Sequence, residues 1–243
     1  MPKTISKPKT KNLKCRCDRR WRIFPPIQSP LAEGAGHSLP LLAGVEHSVA
    51  ATKTFVTSVL AGLALLGEWR QDGALCRAVA DLPQAFAKAL DCDWSPLAAR
   101  LSRAGSAYVL GRGPALAIAG EVALKLKETS GIHAESFSGA EVLHGPAAIV
   151  QPGFPVLALG VTDAALPQLV ATAERLAGQG ADVFLTGAEA QGAVALPSVP
   201  DLHPIVAPLV LAVSFYACVE GVARARGFDP DVPPHLRKVT ETV

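Results

Sequence analysis

Aromatic residues make up only 5% of this 243-residue chain, so its interior has to be filled by Ala, Leu and Val. Long apolar runs are missing too. The best candidate, residues 56–66, carries Thr and Ser and falls short of the roughly 18–20 residues that cross a bilayer. No membrane partner is expected. Cysteine is sparse and odd in number: Cys15, Cys17, Cys76, Cys92 and Cys218. Such scattered cysteines exclude a disulfide framework and point to a reducing cytoplasm. Cys15-x-Cys17 is followed by no second Cys or His pair at zinc spacing, so no metal site is expected. The first residues have neither the apolar core nor the small-residue cleavage site of a secretory signal, and are too rich in Lys and Pro for a transit peptide.

What is present begins with charge. The net charge is +2, but nine of the 23 Lys and Arg and only one acid, Asp18, fall within residues 1–22. The basic balance belongs to that tail, and the remainder is acidic. Residues 1–28 have little to bury and read as a basic, disordered arm. Charge alone lets such an arm bind nucleic acid. No recognition motif or interleaved aromatics accompany it, so nucleic acid is not an expected partner. The chain is 49% hydrophobic, enough for one large core or two small ones in a soluble globular protein.

Prolines 25, 26 and 30 break regular structure, and ordinary globular sequence follows. Residues 37–43 (HSLPLLA) read as a short buried strand, with Pro40 a mark against a central position. Ser48 stands where it would cap a helix over about 49–70. Stretches 73–90, interrupted by Pro83, and 95–104 read as packing helices. From there short apolar strands alternate with helices. Strand 106–110 turns through Gly111-Arg112-Gly113 into helix 115–130. Extended residues 133–137, a brief helix around 139–143, strand 155–159, helix 165–179, strand 182–185 and a last helix over about 204–226 complete the series. That alternation predicts an α/β fold, a doubly wound parallel sheet flanked by helices. Ligands bind such sheets at the carboxyl ends of strands, where the GRG turn falls. The turn lacks the third glycine of a G-x-G-x-x-G fingerprint and carries no nucleotide site by itself.

The chemistry concentrates between Gly111 and Pro146. Glu121, Lys125 and Glu128 lie at i, i+4 and i+7 on one helix face, with His133 and His144 downstream. Read alone, that triplet is a surface ion-pair ladder worth ~0.2–0.5 kcal/mol per pair. His133 reads as structural, and His37, His47, His203 and His235 as solvated.

Three stretches carry a family resemblance. Residues 110–146, LGRGPALAIAGEVALKLKETSGIHAESFSGAEVLHGP, closely resemble the signature of the sugar isomerase (SIS) domain in the glucosamine-6-phosphate synthase and deaminase family. GVEHSVAATKTF resembles the AGxExxVAxTKxF segment that ends that family's first SIS domain, and the terminal HLRKVTETV resembles its tail. The family fold is a tandem of two SIS domains. The resemblance therefore implies one complete copy at 105–228, a partial first copy with connecting helices at 29–104, and a substrate-closing tail at 229–243. Residues 1–28 are foreign to the pattern.

The resemblance also implies roles. Glu128, in KLKE, is the carboxylate that carries a proton between C1 and C2 of the open sugar, a task that needs an acid–base group beside the reacting C–H. His144, in HGP, opens the ring; in the synthases it comes from the partner subunit, which implies a homodimer or higher homo-oligomer. Lys125 sits at the reacting end. Lys238 closes over the substrate and can form a Schiff base with the keto sugar. Val49, Ala51 and Arg237 contact the substrate, although many members have Ser where Ala51 stands. The implied activity converts glucosamine 6-phosphate to fructose 6-phosphate plus ammonia, with a sugar phosphate as ligand and no metal or redox cofactor. Two alternatives stay open. One is the isomerase part of a glutamine–fructose-6-phosphate aminotransferase, against which the absence of a glutaminase domain counts. The other is an impaired remnant or sugar-phosphate-binding domain, because the family's SxSGxSxD phosphate loop, with its backbone donors at a helix N-terminus, has no counterpart here.

Overall fold

The computed structural model describes residues 39–238. The basic arm, the proline break and His37 lie outside the described residues. Residues 39–43 of the expected 37–43 strand are not a strand. Leu39 and Leu42 are 56% and 61% exposed, and Leu42 takes a φ of 54°, left-handed backbone that a strand does not admit.

Four helices come first: α1 (Lys53–Arg70), α2 (Gly73–Ala80), α3 (Leu82–Leu90) and α4 (Ser95–Leu101). α1 starts four residues later than the apolar periodicity predicts, because its cap is Glu46 and not Ser48. The expected 73–90 helix is two helices broken at Asp81. Pro83 sits in the first turn of α3, where a missing N–H costs nothing. Residues 39–104 contribute no strand.

The chain then alternates: β1 (Ser106–Gly111), α5 (Pro114–Ser130), β2 (His133–Ser138), two short 3₁₀ turns (Glu141–His144 and Pro146–Ile149), β3 (Pro155–Ala158), α6 (Leu166–Gly178), β4 (Asp182–Thr186), β5 (Ala193–Leu196) and α7 (Ala207–Ala225). The five strands form one all-parallel sheet in the order β2-β1-β3-β4-β5. The doubly wound α/β sheet predicted from the alternation is present. β5 escapes sequence reading because it is four residues long and mostly uncovered, so it has no continuous apolar run.

Strand side chains alternate between two cores. Ala107, Val109, Leu157 and Phe184 face α1–α5 and α7, whereas Tyr108, Leu110, Val156, Val183 and Leu185 face α6 and the 3₁₀ turns. One layer is therefore thick and the other thin. By length and composition α7 is long and apolar enough to cross a membrane, which corrects the expectation that no apolar stretch approaches that length. Its apolar residues, among them Leu209, Val210, Phe215, Val219 and Val222, are buried in the thick layer.

Arg226 closes that layer. Its guanidinium donates to the carbonyls of Ser130 (2.7 Å), Ala104 (2.8 Å), Ser102 (3.1 Å) and Leu101 (3.5 Å), tying together the ends of α4, α5 and α7. Arg226→Ala leaves these acceptors unpaired and is expected to cost roughly 2–3 kcal/mol. Arg226→Lys recovers only part of this, since an ammonium lacks the planar fork. Urea unfolding midpoints of the two variants check it.

Candidate active site

The candidate site grows out of α5. Gly111 ends β1 so close to the helix that a Cβ there would lie 2.5 Å from the Ala115 carbonyl, and Gly113 takes a φ of 56°. Only glycine at both positions lets the strand turn directly into α5. Pro114 starts the helix, and Gly131, in left-handed conformation, ends it.

The face carrying Glu121, Lys125 and Glu128 is not the exposed ladder that spacing alone predicts. Glu121 and Lys125 are 8% and 3% exposed, covered by α7. The Lys125 Nζ lies 2.5 Å from a Glu128 carboxylate oxygen and 3.5 Å from Glu121 Oε1. Glu128 keeps about a quarter of its side chain open to solvent and forms the accessible end of the cluster. The Tyr216 hydroxyl donates to Glu121 Oε1 at 2.7 Å from α7. Burial pushes the Glu121 carboxyl up from its ordinary range, against the lowering effect of the Tyr216 hydrogen bond and of Lys125. The Tyr216 phenol is pushed up as well, by burial first, then by its bond to Glu121 and the charges of Glu121, Glu46 and Glu128.

The charge of Glu46 on Tyr216 links α7 to the loop before α1. The Glu46 carboxylate accepts from the backbone N–H groups of Thr52 (2.8 Å), Lys53 (2.8 Å) and Thr54 (3.2 Å), capping α1 from six residues away. Burial raises its pKa, but the hydrogen bonds from the Thr54 side chain and these three amides outweigh that and bring it down to about 2. A carboxyl lowered in the fold stabilises above its unfolded value, and that stabilisation is lost as pH falls from about 4.5 toward 2. Glu46→Ala is therefore expected to cost about 1–2 kcal/mol near neutral pH. The difference from wild type shrinks below pH 4, which paired urea titrations at pH 7 and pH 3 resolve.

The same loop meets the carboxyl-terminal tail. The Val49 N–H donates to the Asp231 carbonyl at 3.1 Å, and the Ser48 hydroxyl reaches the Pro230 carbonyl at 3.5 Å. Lys238 donates its ammonium to the Ser48 carbonyl. Val49, Ala51 and Lys238, drawn from opposite ends of the sequence, thus converge, and the exposed Arg237 flanks Lys238. His144 is the remaining predicted residue. It is exposed on the first 3₁₀ turn, which packs against β2, and no hydrogen bond or ion pair joins it to Glu128 among the described residues. The second 3₁₀ turn, which follows it, is tied to β1 by the Tyr108 hydroxyl, which donates to the Pro146 carbonyl at 3.0 Å. Of the remaining histidines, His133, His47 and His235 are exposed, while His203 is half-buried and accepts from the Ile205 N–H at 3.3 Å.

A cavity of about 350 Å³ opens elsewhere, at the carboxyl ends of β3 and β4, where Gly160 and Gly187 bring the strand ends together. Its lining holds Glu189 and Asp201 and no Lys or Arg, a poor match to a phosphate. Cavity size and chemistry therefore point to different places, and the acid–base cluster is the better active-site candidate. Among the described residues, no group of three or more His, Cys, Asp or Glu is placed to hold a metal ion.

Sequence reasoning missed Tyr216 and gave Glu46 no role. The signal for Tyr216 is a tyrosine, one of two in the chain, inside the otherwise apolar run of α7. Glu46 occupies the glutamate of the AGxExxVAxTKxF pattern, but no local capping rule reaches six residues ahead of the helix.

Comparison with known proteins agrees with this architecture. Residues 100–195 match the SIS domain family, so the chain carries a SIS domain. It is homologous to the isomerase domain of glutamine–fructose-6-phosphate aminotransferases. The enzyme of Pyrobaculum aerophilum is 35% identical over 231 residues, and that of Zymomonas mobilis 32% identical over 229. These alignments take in 87% and 86% of the chain but only 37% of either relative. Among solved structures, a protein from Silicibacter pomeroyi DSS-3 assigned as a phosphosugar isomerase is 48% identical, with a TM-score of 0.80 over 84% of this chain and 62% of that one. The C-terminal domain of the Francisella tularensis glucosamine–fructose-6-phosphate aminotransferase is 28% identical, with a TM-score of 0.69 over 78% of this chain and 58% of that one.

Proposed function

We propose that this chain carries the acid–base centre of a sugar-phosphate isomerase, and that its substrate is an amino-sugar phosphate. The observation that carries the reading is the partly open Glu128 carboxylate, held at 2.5 Å by the buried Lys125. A carboxylate so placed can take a proton from a substrate carbon and return it to the neighbouring one. Starting from open-chain glucosamine 6-phosphate, Glu128 removes the C2 proton and the electron pair moves toward the C1 carbonyl. Delivery of that proton to C1, with O1 taking up a proton and the amine nitrogen giving one up, leaves a C1 alcohol and an imine at C2. Water then converts the imine to the ketone of fructose 6-phosphate and releases ammonia. Lys125 supplies positive charge beside the developing enolate. The loop at Val49 and Ala51, with Arg237 and Lys238 of the tail, closes over the sugar. His144 opens the ring from a second copy of the chain, as the family resemblance implies, and a cytoplasmic homo-oligomer is part of the proposal.

A second reading is favoured by the aminotransferase relatives: the chain is the isomerase part of such an enzyme and only interconverts aldose and ketose phosphates. Incubation of the purified chain with glucosamine 6-phosphate and, separately, with fructose 6-phosphate separates the readings. Ammonia release supports the deaminase. Interconversion of fructose and glucose 6-phosphates without ammonia release supports the second reading. A folded protein that does neither is a binding domain or remnant.

A further inference from the structure

We infer that Tyr216 is a positioning residue: its hydroxyl fixes Glu121 so that Lys125 is shared between two carboxylates instead of being given up wholly to Glu128. The inference rests on the proton-carrier role proposed for Glu128, and adds a part of the site that no sequence pattern supplies. Three observations carry it. The Tyr216 hydroxyl donates to Glu121 Oε1 at 2.7 Å, and the same oxygen lies 3.5 Å from Lys125 Nζ. Lys125 is 3% exposed and shielded from bulk solvent, so its two carboxylate partners dominate where the ammonium sits. Glu121 and Glu128 flank it from the preceding and following turns of α5, one buried and one at the accessible end.

The consequence follows from charge balance. Two carboxylates around one ammonium leave the cluster with one excess negative charge, at the end open to substrate. A buried carboxylate is costly to ionise unless hydrogen-bonded, and Tyr216 provides that bond. Without the hydroxyl, Glu121 protonates more readily and loosens its hold on Lys125. The ammonium then pairs with Glu128 alone, which becomes less free to accept a proton. The charged groups facing this pair among the described residues are Lys125 and Glu128 on α5 and Glu46 from the loop before α1, whose charge acts on Tyr216. Glu46 reinforces the proton on the phenol, so Tyr216 remains the donor.

The test uses the full chain and the variants Tyr216→Phe, Glu121→Gln and the double variant. Carbon-13 NMR of labelled glutamate side chains, assigned with Glu121→Gln, follows the Glu121 titration. Its midpoint is expected to rise in Tyr216→Phe; an unchanged or lower midpoint overturns the inference. This arm needs no turnover, so it decides the inference even if the proposed reaction fails. Where turnover is measurable, Tyr216→Phe is expected to lower kcat about tenfold, a part of the roughly 10²–10⁴ that acid–base placement supplies, with KM changed less than about twofold. The acid limb of its kcat profile is expected to move to lower pH, because Glu128 paired with Lys125 alone takes up a proton less readily. The double variant is expected to match Glu121→Gln, since the two act as one unit. A drop in kcat with an unmoved pH profile, or additive effects in the double variant, would assign Tyr216 to packing alone.

Discussion

Replacing Glu128 with Gln is expected to lower kcat by about 10³-fold, within the roughly 10²–10⁴ range of a positioned general base, while leaving the protein folded. The amide keeps the shape of the carboxylate and an oxygen toward Lys125, but cannot take up a proton from carbon. Only a partly exposed ion pair is lost, since about a quarter of the Glu128 side chain is open to solvent. Such pairs are worth about 1 kcal/mol or less, so the thermal midpoint is expected to move little. Steady-state kinetics together with a melting curve separate the two effects: lost catalysis with a wild-type melt is the expected pattern.

Lys125→Met is expected to do the opposite, damaging the fold before the chemistry can be asked about. Lys125 is 3% exposed and neutralises Glu121, itself 8% exposed, from 3.5 Å. Its removal leaves a carboxylate buried without a counter-charge, a change that costs roughly 3–5 kcal/mol. For a chain of this size that corresponds to a fall in Tm on the order of 10 °C, measured by calorimetry. Adding Glu121→Gln to Lys125→Met removes the orphaned charge and is expected to restore much of the loss. If Lys125→Met alone melts like wild type, the ion pairs of the α5 face contribute nothing to stability.

The layout of the sheet was legible because its strands are continuous apolar runs between glycine turns. Residues 106–111, 155–158 and 182–186 are covered on both faces, and such strands announce themselves. β5 does not, because its outer residues face solvent. The start of α1 was misplaced for a different reason. Its cap arrives from Glu46, on a loop whose path is fixed by contacts with Asp231 far along the chain, and no window of local sequence contains both. Residues 39–43 look like a strand only by composition. Pro40 removes a donor and Leu42 adopts left-handed backbone, so Leu39 and Leu42 remain outside.

The site was legible in its residue types and wrong in its surroundings. Spacing put Glu121, Lys125 and Glu128 on one face, but periodicity cannot say whether that face meets water or another helix. α7 decides it, and with it the change from a weak surface ladder to a buried charge cluster with one open end. Tyr216 was invisible because its relation to Glu121 spans 95 residues and depends on how α7 crosses α5. His144 shows the complementary limit: the motif names it, whereas among the described residues no hydrogen bond or ion pair joins it to Glu128.

The most direct measurement of the central claim is proton exchange at carbon. The purified chain is incubated with fructose 6-phosphate in D₂O, and deuterium at C1 is followed by NMR, with Glu128→Gln alongside. The account predicts stereospecific incorporation at C1 by the wild-type chain and none above background by the folded variant. Incorporation by Glu128→Gln at the wild-type rate would contradict it.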